Sequence, residues 1–125
     1  MIPTADMVET KIQQIGDVTV VEMSGRLDLG NSLSNAENAI NRMIETGTRK
    51  LVIDLAALDH MDSSGLGMLI YCCGRMEQSG GRMRVTGAGG SVARVFEISH
   101  AGRILKFDSD LASACRHLSA EGAAG

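Results

Sequence analysis

The sequence predicts a single α/β domain with a mixed β-sheet. Segments with strand periodicity alternate with segments of helical periodicity, and only two residues separate the first two strand-like segments. So short a connection is typical of an antiparallel hairpin, whereas helices between the later strands indicate right-handed crossovers to parallel neighbours. The chain has 125 residues, the size of one domain, and contains no internal repeat or linker.

The chain opens with a predicted β-hairpin. Residues 7–15 and 18–25 have strand-like composition, and Gly16 and Asp17 between them suit a tight reversal. The apolar spacing then becomes helical, which predicts a first helix with a C-terminal glycine at Gly47. The apolar face of this helix consists of Leu33, Ala36, Ile40, Met43 and Ile44.

A buried central strand follows. Residues 51–55 are apolar apart from Asp54, as expected for a parallel strand covered on both faces. A second crossover helix is predicted from about Leu66 to the glycine pair Gly80 and Gly81. Its apolar face consists of Leu69, Ile70, Cys73 and Met76.

The last third of the chain repeats strand, turn and helix. Residues 82–86 alternate polar and apolar side chains, and a glycine-rich turn over 87–90 leads into a short helix. A short last strand is predicted over 104–107, before a closing helix capped near Asp108 or Ser109. The apolar positions of the two helices are Val92, Val95 and Phe96, then Leu111, Ala114, Cys115 and Leu118.

Composition limits the possible functions of this domain, which we expect to have its core over about 7–118 and a frayed tail over 119–125. The 12 basic and 15 acidic residues give a net charge of −3, too little positive field for nucleic acid to be a partner. No run approaches the roughly 20 apolar residues of a membrane span, and the first residues lack signal-peptide features. We therefore expect a cytoplasmic protein without direct membrane insertion.

The cysteines predict reduced thiols and no metal. Cys72 and Cys73 are neighbours and Cys115 is distant, so the three cannot form a closed disulfide framework. Their spacing is not that of a zinc site, and we expect neither a structural metal nor a cofactor. Arg82 and Arg84 are interpreted as solvated surface.

The most informative polar segment is 60–67, which follows the buried strand and opens a helix. Small polar residues there can accept hydrogen bonds from the first N–H groups of the helix, so a helix cap is the simplest interpretation. Two consecutive serines, Ser63 and Ser64, exceed what capping requires. A serine-hydrolase elbow is not favoured, because Met61 and Asp62 stand where that strained turn needs small residues. A phosphorylated serine would be tolerated at a helix N-terminus and would change the surface charge.

A second polar turn, Thr86 to Ser91, also joins a strand to a helix. It could hold an anion, but it lacks the lysine of a phosphate-binding loop and the third glycine of a dinucleotide fingerprint. A flexible turn is the favoured interpretation.

Three segments resemble the STAS domain family of bacterial anti-sigma factor antagonists. The string Asp62-Ser63-Ser64-Gly65-Leu66-Gly67, after LVIDLAALDHM, resembles the family signature. Gly25-Arg26-Leu27-Asp28 is similar to the Gly-x-Leu-Asp before the first helix, and residues 95–99 resemble the Leu-Phe-x-x-Ser segment before the last strand. The resemblance covers nearly the whole chain.

The resemblance implies a mixed sheet of about four to five strands with about four helices packed largely on one side. It also implies a protein that is not an enzyme but the substrate of one. Ser63 would be the phosphoacceptor for an anti-sigma factor with serine kinase activity, and a serine phosphatase would reset it. The partner-binding surface would be shaped by Asp28, Asp62, Ser63, Ser64, Gly65 and Leu66. ATP and magnesium would belong to the kinase, and the chain itself would be a monomer or weak homodimer.

The chain departs from the family at Gly90, where many members have proline, and at His100 and Ala101, which replace the usual Gly-Leu. Two other functions stay open at this point. One is a constitutive assembly subunit of a stress-sensing or lipid-transport complex, and the other is a sensor that binds a nucleotide or small anion at a glycine-rich helix start.

Overall fold

The computed structural model describes the backbone of residues 8–124 and the side chains of residues 8–119. Its elements are, in order, β1 (Val8–Ile15), β2 (Val18–Leu27), α1 (Asn31–Glu45), β3 (Lys50–Met61), α2 (Ser63–Gln78), β4 (Arg82–Thr86), α3 (Gly90–Ser99), a short 3₁₀ helix (Ala101–Arg103), β5 (Lys106–Asp108) and α4 (Leu111–Ala124).

The five strands form one sheet in the order β1-β2-β3-β4-β5. β1 and β2 pair antiparallel, from Val8 opposite Gly25 to Ile15 opposite Val18, and every later pair is parallel. Gly16, in the two-residue connection, has a φ of +61°, which a residue with a side chain adopts only at a cost. The mixed α/β sheet opened by a hairpin is therefore confirmed.

Each face of the sheet has its own apolar core. Val21 and Met23 of β2 belong to the larger core, which also includes the buried faces of α1, α2 and α3. Val18 and Val20 point to the opposite face and pack with Ala114 and Leu118 of α4 in a smaller core. The helices thus lie largely on one side, with α4 on the other.

β3 is longer than its apolar pattern predicts. The expectation of a strand ending at residue 55 was wrong, because β3 continues to Met61. Its second half pairs with the end of β2, where Leu27 lies beside Met61, and the register shifts twice on the way. These irregularities break the period-two pattern that identifies a strand in a sequence. α2 likewise begins at Ser63, three residues before the predicted Leu66.

The carboxyl-terminal elements also differ from the prediction. The last strand is Lys106–Asp108, because the 3₁₀ helix and the following turn take up Ile104 and Leu105. α4 is capped by Asp110, whose Oδ1 accepts a hydrogen bond from Ser113 N–H at 2.7 Å, and not by Asp108 or Ser109. α4 runs to Ala124, so most of the predicted tail is helical. Met7, the predicted start of the core, and Gly125 lie outside the described residues.

Asp108 instead makes a buried ionic contact. Its side chain is 2% exposed and accepts hydrogen bonds from Arg84 of β4 and His117 of α4. Arg84 is therefore not the solvated surface residue that was expected. Burial alone would raise the pKa of Asp108, but the bonds from Arg84 and His117 outweigh it and hold the pKa below its usual value. The contact ties β4, β5 and α4 together.

We expect Asp108→Asn to lower the free energy of unfolding by about 3 kcal/mol near neutral pH, because it removes the charge opposite a buried arginine. Since the folded-state pKa is depressed, this stabilisation is present above about pH 4 and is lost as the pH falls through the folded-state pKa. Urea unfolding at several pH values measures the difference. Asp59→Asn, at an exposed position of β3, is the matched control. Equal stabilities of the wild type and Asp108→Asn at neutral pH would contradict the assignment.

Candidate functional site

The candidate site lies where two neighbouring parallel strands end together. β3 pairs with β4 only from Lys50 to Asp54, but it pairs with β2 as far as Met61 beside Leu27. The loop after β2 and the first turn of α2 are therefore brought side by side at the carboxyl edge of the sheet. In open α/β sheets this edge is where binding sites usually form.

Asp62 joins these two segments. Its Oδ1 accepts a hydrogen bond from Gly65 N–H at 3.0 Å and caps α2, while its Oδ2 accepts one from Leu29 N–H at 3.2 Å in the neighbouring loop. Burial by itself would raise the pKa of this carboxyl group. The N–H groups of Gly65, Leu29 and Ser64 outweigh burial, so the pKa of Asp62 lies below its usual value. Asp62 is thus a fixed negative charge at the start of α2.

Gly65 is required by the close approach of α2 to β2. A β-carbon at this position would lie 2.3 Å from the carbonyl oxygen of Leu27 and 2.9 Å from Cγ of Met61. Both distances are far below van der Waals contact, and the nearer atom belongs to the backbone, which cannot rotate away. The same carbonyl oxygen of Leu27 also accepts a hydrogen bond from Asp62 N–H at 3.3 Å.

The two serines occupy the first turn of α2. Ser63 is exposed and Ser64 is half-buried. Asp62 already caps the helix, and within the part of the chain whose side chains are described neither hydroxyl makes a hydrogen bond. The hydroxyl of Ser63 is therefore available to a reagent from solvent.

The loop after β2 contributes a charged and an apolar side chain. Asp28 is half-buried, and its Oδ2 accepts a hydrogen bond from Nε of Arg26 at 3.2 Å. Leu29 is 79% exposed, although its own N–H is tied to Asp62. Sequence reasoning missed Leu29, and the only available signal was a lone leucine in a loop otherwise made of polar residues and glycine.

The structure brings all six predicted site residues together, in two layers. Asp28, Asp62, Ser63 and Ser64 reach the surface, whereas Gly65 and Leu66 lie buried below them. With the exposed Leu29, the four surface residues form what we call the strand-end site. Gly65 and Leu66 contribute to it by fixing the position of the turn.

Metal-ligating clusters, membrane-spanning helices and reactive cysteines were sought among the described residues. Among the side chains of residues 8–119, no group of three or more histidine, cysteine, aspartate or glutamate residues could hold a metal ion. No helix of the described part is long and apolar enough to cross a membrane. Burial raises the pKa of the Cys72 thiol to about 12, so this cysteine is not a reactive thiolate.

Comparison with protein families gives one match. The family model described as "STAS domain" matches residues 9–114. A curated relative, the anti-sigma-B factor antagonist of Staphylococcus aureus, is 28% identical over 79 residues, which are 63% of this chain and 72% of the relative.

Several solved structures of similar fold are anti-sigma factor antagonists. A putative anti-sigma factor antagonist from Thermotoga maritima superposes with a TM-score of 0.80 at 19% identity, covering 88% of this chain and 94% of that chain. The anti-sigma factor antagonist SpoIIAA superposes in its unphosphorylated form with a TM-score of 0.72 at 20% identity, covering 86% and 95%. SpoIIAA of Bacillus in its phosphorylated form gives a TM-score of 0.68 at 20% identity, covering 86% and 98%. At these identities the likeness establishes the fold.

We expect Gly65→Ala to lower the free energy of unfolding by about 2 kcal/mol, because the new methyl group collides with the Leu27 carbonyl. Gly74→Ala on the same helix is the control. Its methyl group would meet no atom within 4 Å, so it should raise stability by about 0.5 kcal/mol through helix propensity. Thermal and urea unfolding measure the change in stability of the two variants. Equal effects of the two substitutions would refute the close contact.

Proposed function

The chain belongs to the STAS domain family, and on this premise we propose that it is an anti-sigma factor antagonist whose partner binding is switched by phosphorylation of Ser63. In this proposal the chain is a cytoplasmic binding protein and a kinase substrate, and it catalyses nothing itself. The observation that carries the proposal is an exposed serine at the first position of α2, beside a carboxylate whose hydrogen bonds do not involve that serine.

The local geometry supports a phosphorylated state that keeps the fold. Asp62 takes its hydrogen bonds from Gly65 and Leu29, so modifying Ser63 breaks none of the bonds that hold the turn. The N-terminus of α2 carries the positive end of the helix dipole and free N–H groups, which favour an added phosphoryl group. The two states therefore differ mainly in their surface charge.

That charge difference accounts for the switch. A phosphoserine adds about −1.5 to −2 charges at neutral pH. At Ser63 they would stand beside the ionised Asp62, in a surface that also includes Asp28. A partner that covers the strand-end site would have to desolvate this dense negative charge without a matching cation, which costs several kcal/mol. The unphosphorylated form is then the binding form.

The proposed partner is an anti-sigma factor with serine kinase activity. A base of the kinase takes the proton from the Ser63 hydroxyl, a bond forms between Oγ and the γ-phosphorus of ATP, and ADP leaves. A serine phosphatase reverses the change by hydrolysis, which returns the hydroxyl and releases inorganic phosphate. When the antagonist is unphosphorylated it occupies the anti-sigma factor and a sigma factor is free to direct transcription. This proposal is supported by the similarity to the anti-sigma-B factor antagonist of Staphylococcus aureus and to SpoIIAA, an anti-sigma factor antagonist with an unphosphorylated and a phosphorylated form.

A paired affinity capture tests the switch. Wild type and Ser63→Asp are used as baits in lysate of the source organism, and the captured proteins are identified by mass spectrometry. We expect an ATP-binding kinase-like protein with the wild type, and an affinity about 100-fold lower for Ser63→Asp because of the buried charge. Ser119→Asp, which adds the same charge at an exposed position of α4 on the opposite side of the sheet, should bind like the wild type.

Two results would count against the proposal. If the purified kinase modifies Ser63→Ala as efficiently as Ser64→Ala, Ser63 is not the acceptor. If both baits capture the same membrane or scaffold proteins, the chain is a constitutive assembly subunit and Ser63 serves only the helix start.

Leu29 should be the apolar anchor of the same interface. An exposed leucine fixed beside the switch buries apolar area only when a partner is bound. We expect Leu29→Ala to weaken binding of the captured kinase about tenfold and to change the free energy of unfolding by less than about 0.5 kcal/mol. Ile98→Ala, at a 71% exposed position of α3, is the control. Calorimetric titration measures both, and equal effects of the two substitutions would remove Leu29 from the interface.

A further inference from the structure

A second concave surface lies at the ends of β4 and β5, on elements that the strand-end site does not use. It forms an open cavity of about 630 Å³ between the turn after β4, α3, the 3₁₀ helix and the start of the turn after β5. This volume is in the range of sites for small molecules, and the ends of parallel strands are where such sites form.

The wall of the cavity is aromatic. The chain has only two phenylalanines, and both line this cavity. Phe96 of α3 is buried, Phe107 of β5 is 38% exposed, and their rings meet edge to face with centroids 4.8 Å apart. A flat ring that entered the cavity would find aromatic edges and faces to pack against.

The turn after β4 holds the opposite wall in place. Gly87 has a φ of +84°, and a β-carbon there would lie 2.6 Å from the amide nitrogen of Ala56 and 2.7 Å from Oδ1 of Asp54. That carboxylate oxygen in turn accepts a hydrogen bond from Ala56 N–H at 3.0 Å. The turn is therefore packed directly on β3, and the cavity is preformed.

Two opposite charges line the cavity without partners. Glu97 is an exposed residue of α3 that follows the buried Phe96, and Arg103 is an exposed residue of the 3₁₀ helix. Within the part of the chain whose side chains are described, neither side chain makes an ion pair or a hydrogen bond. The third charged group of the lining, Asp108, is already bonded to Arg84 and His117. The cavity thus offers one free anion and one free cation beside an aromatic wall.

The chain also holds a strained residue at this cavity. His100 lines it with φ 58° and ψ 34°, and it is the one residue other than glycine with positive φ in the described backbone. The left-handed conformation costs a residue with a side chain about 1 kcal/mol. His100 takes this conformation as the residue that ends α3, so the end of the helix fixes this part of the cavity wall.

We propose that this cavity binds a small zwitterion with an aromatic side chain, that is, an aromatic α-amino acid. The ring packs on Phe96 and Phe107, the carboxylate pairs with Arg103 and the ammonium group pairs with Glu97. Glu97 and Arg103 are exposed to solvent, so an uncharged aromatic molecule would gain no ion pair from them and a singly charged one would gain only one. The proposal does not rest on phosphorylation of Ser63, because the cavity is lined by other residues.

The chain contains no tryptophan, so L-tryptophan itself is a fluorescent probe free of tryptophan background. We expect saturable binding to the full chain, seen as a rise in fluorescence anisotropy. Tryptamine lacks the carboxylate and indole-3-propionate lacks the ammonium group, so each should bind about tenfold more weakly. Amide NMR shifts should map the binding to residues 86–109 and not to the strand-end site.

Two variants assign the charges separately. Arg103→Gln should reduce the affinity for L-tryptophan to that for tryptamine while leaving tryptamine binding unchanged, and Glu97→Gln should do the same with indole-3-propionate. Arg94→Gln, at an exposed position of α3 outside the cavity, is the control. Unfolding curves show whether each variant is folded. If a variant is not folded, tryptamine and indole-3-propionate still test the proposal on the wild-type protein. The proposal is overturned if L-tryptophan fails to saturate, if indole alone binds as tightly, or if the shifts map elsewhere.

Discussion

The junction between α2 and the end of β2 is the constraint on which the candidate site depends. The first turn of the helix lies so close to the Leu27 carbonyl that only glycine fits at position 65, and the same carbonyl accepts the N–H of Asp62. The carboxylate of Asp62 then reaches the next loop through Leu29 N–H. Contacts from a strand, a helix and a loop converge there, so the position of the exposed serine is set by backbone atoms and not by its own side chain.

In this arrangement the residue that holds the turn, Asp62, is not the residue proposed to change charge, Ser63. A serine that capped its own helix would give up the cap when it was modified, and the helix start would loosen. Here Asp62 is the cap, and its pKa is held low by three N–H groups, so it stays ionised over the whole neutral range. The proposed phosphorylation of the neighbouring Ser63 would therefore change the surface charge and leave the hydrogen bonds of Asp62 in place. A rigid surface with a variable charge is well suited to a partner that distinguishes two states by electrostatics.

The sequence predicted the elements whose apolar period is regular and missed those that depend on tertiary partners. The strand over 82–86 matches β4 at both ends, and the hairpin around Gly16 is correct. The second half of β3 was missed because its pairing with β2 contains register shifts, and the capping role of Asp108 was wrong because its carboxylate meets Arg84 and His117 instead. Five of the six proposed site residues come from the consecutive motif 62–66, and Asp28 comes from a separate Gly-x-Leu-Asp segment. The local sequence does not identify Leu29 as exposed or predict the cavity, because both depend on how segments distant in the sequence pack together.

The unequal lengths of the strands explain why one small sheet carries two separate surfaces. β2 and β3 continue well past the point where β4 stops pairing at Thr86, so the carboxyl edge of the sheet is stepped. The strand-end site lies at the ends of the longer strands β2 and β3. The cavity lies at the ends of the shorter strands β4 and β5, against α3. α3 packs against the extension of β3, and the hydroxyl of Ser91 donates a hydrogen bond to the carbonyl of Asp59 at 3.3 Å. Asp59 is three residues before Asp62, so α3, which forms part of the cavity wall, and the first turn of α2 rest on the same stretch of strand.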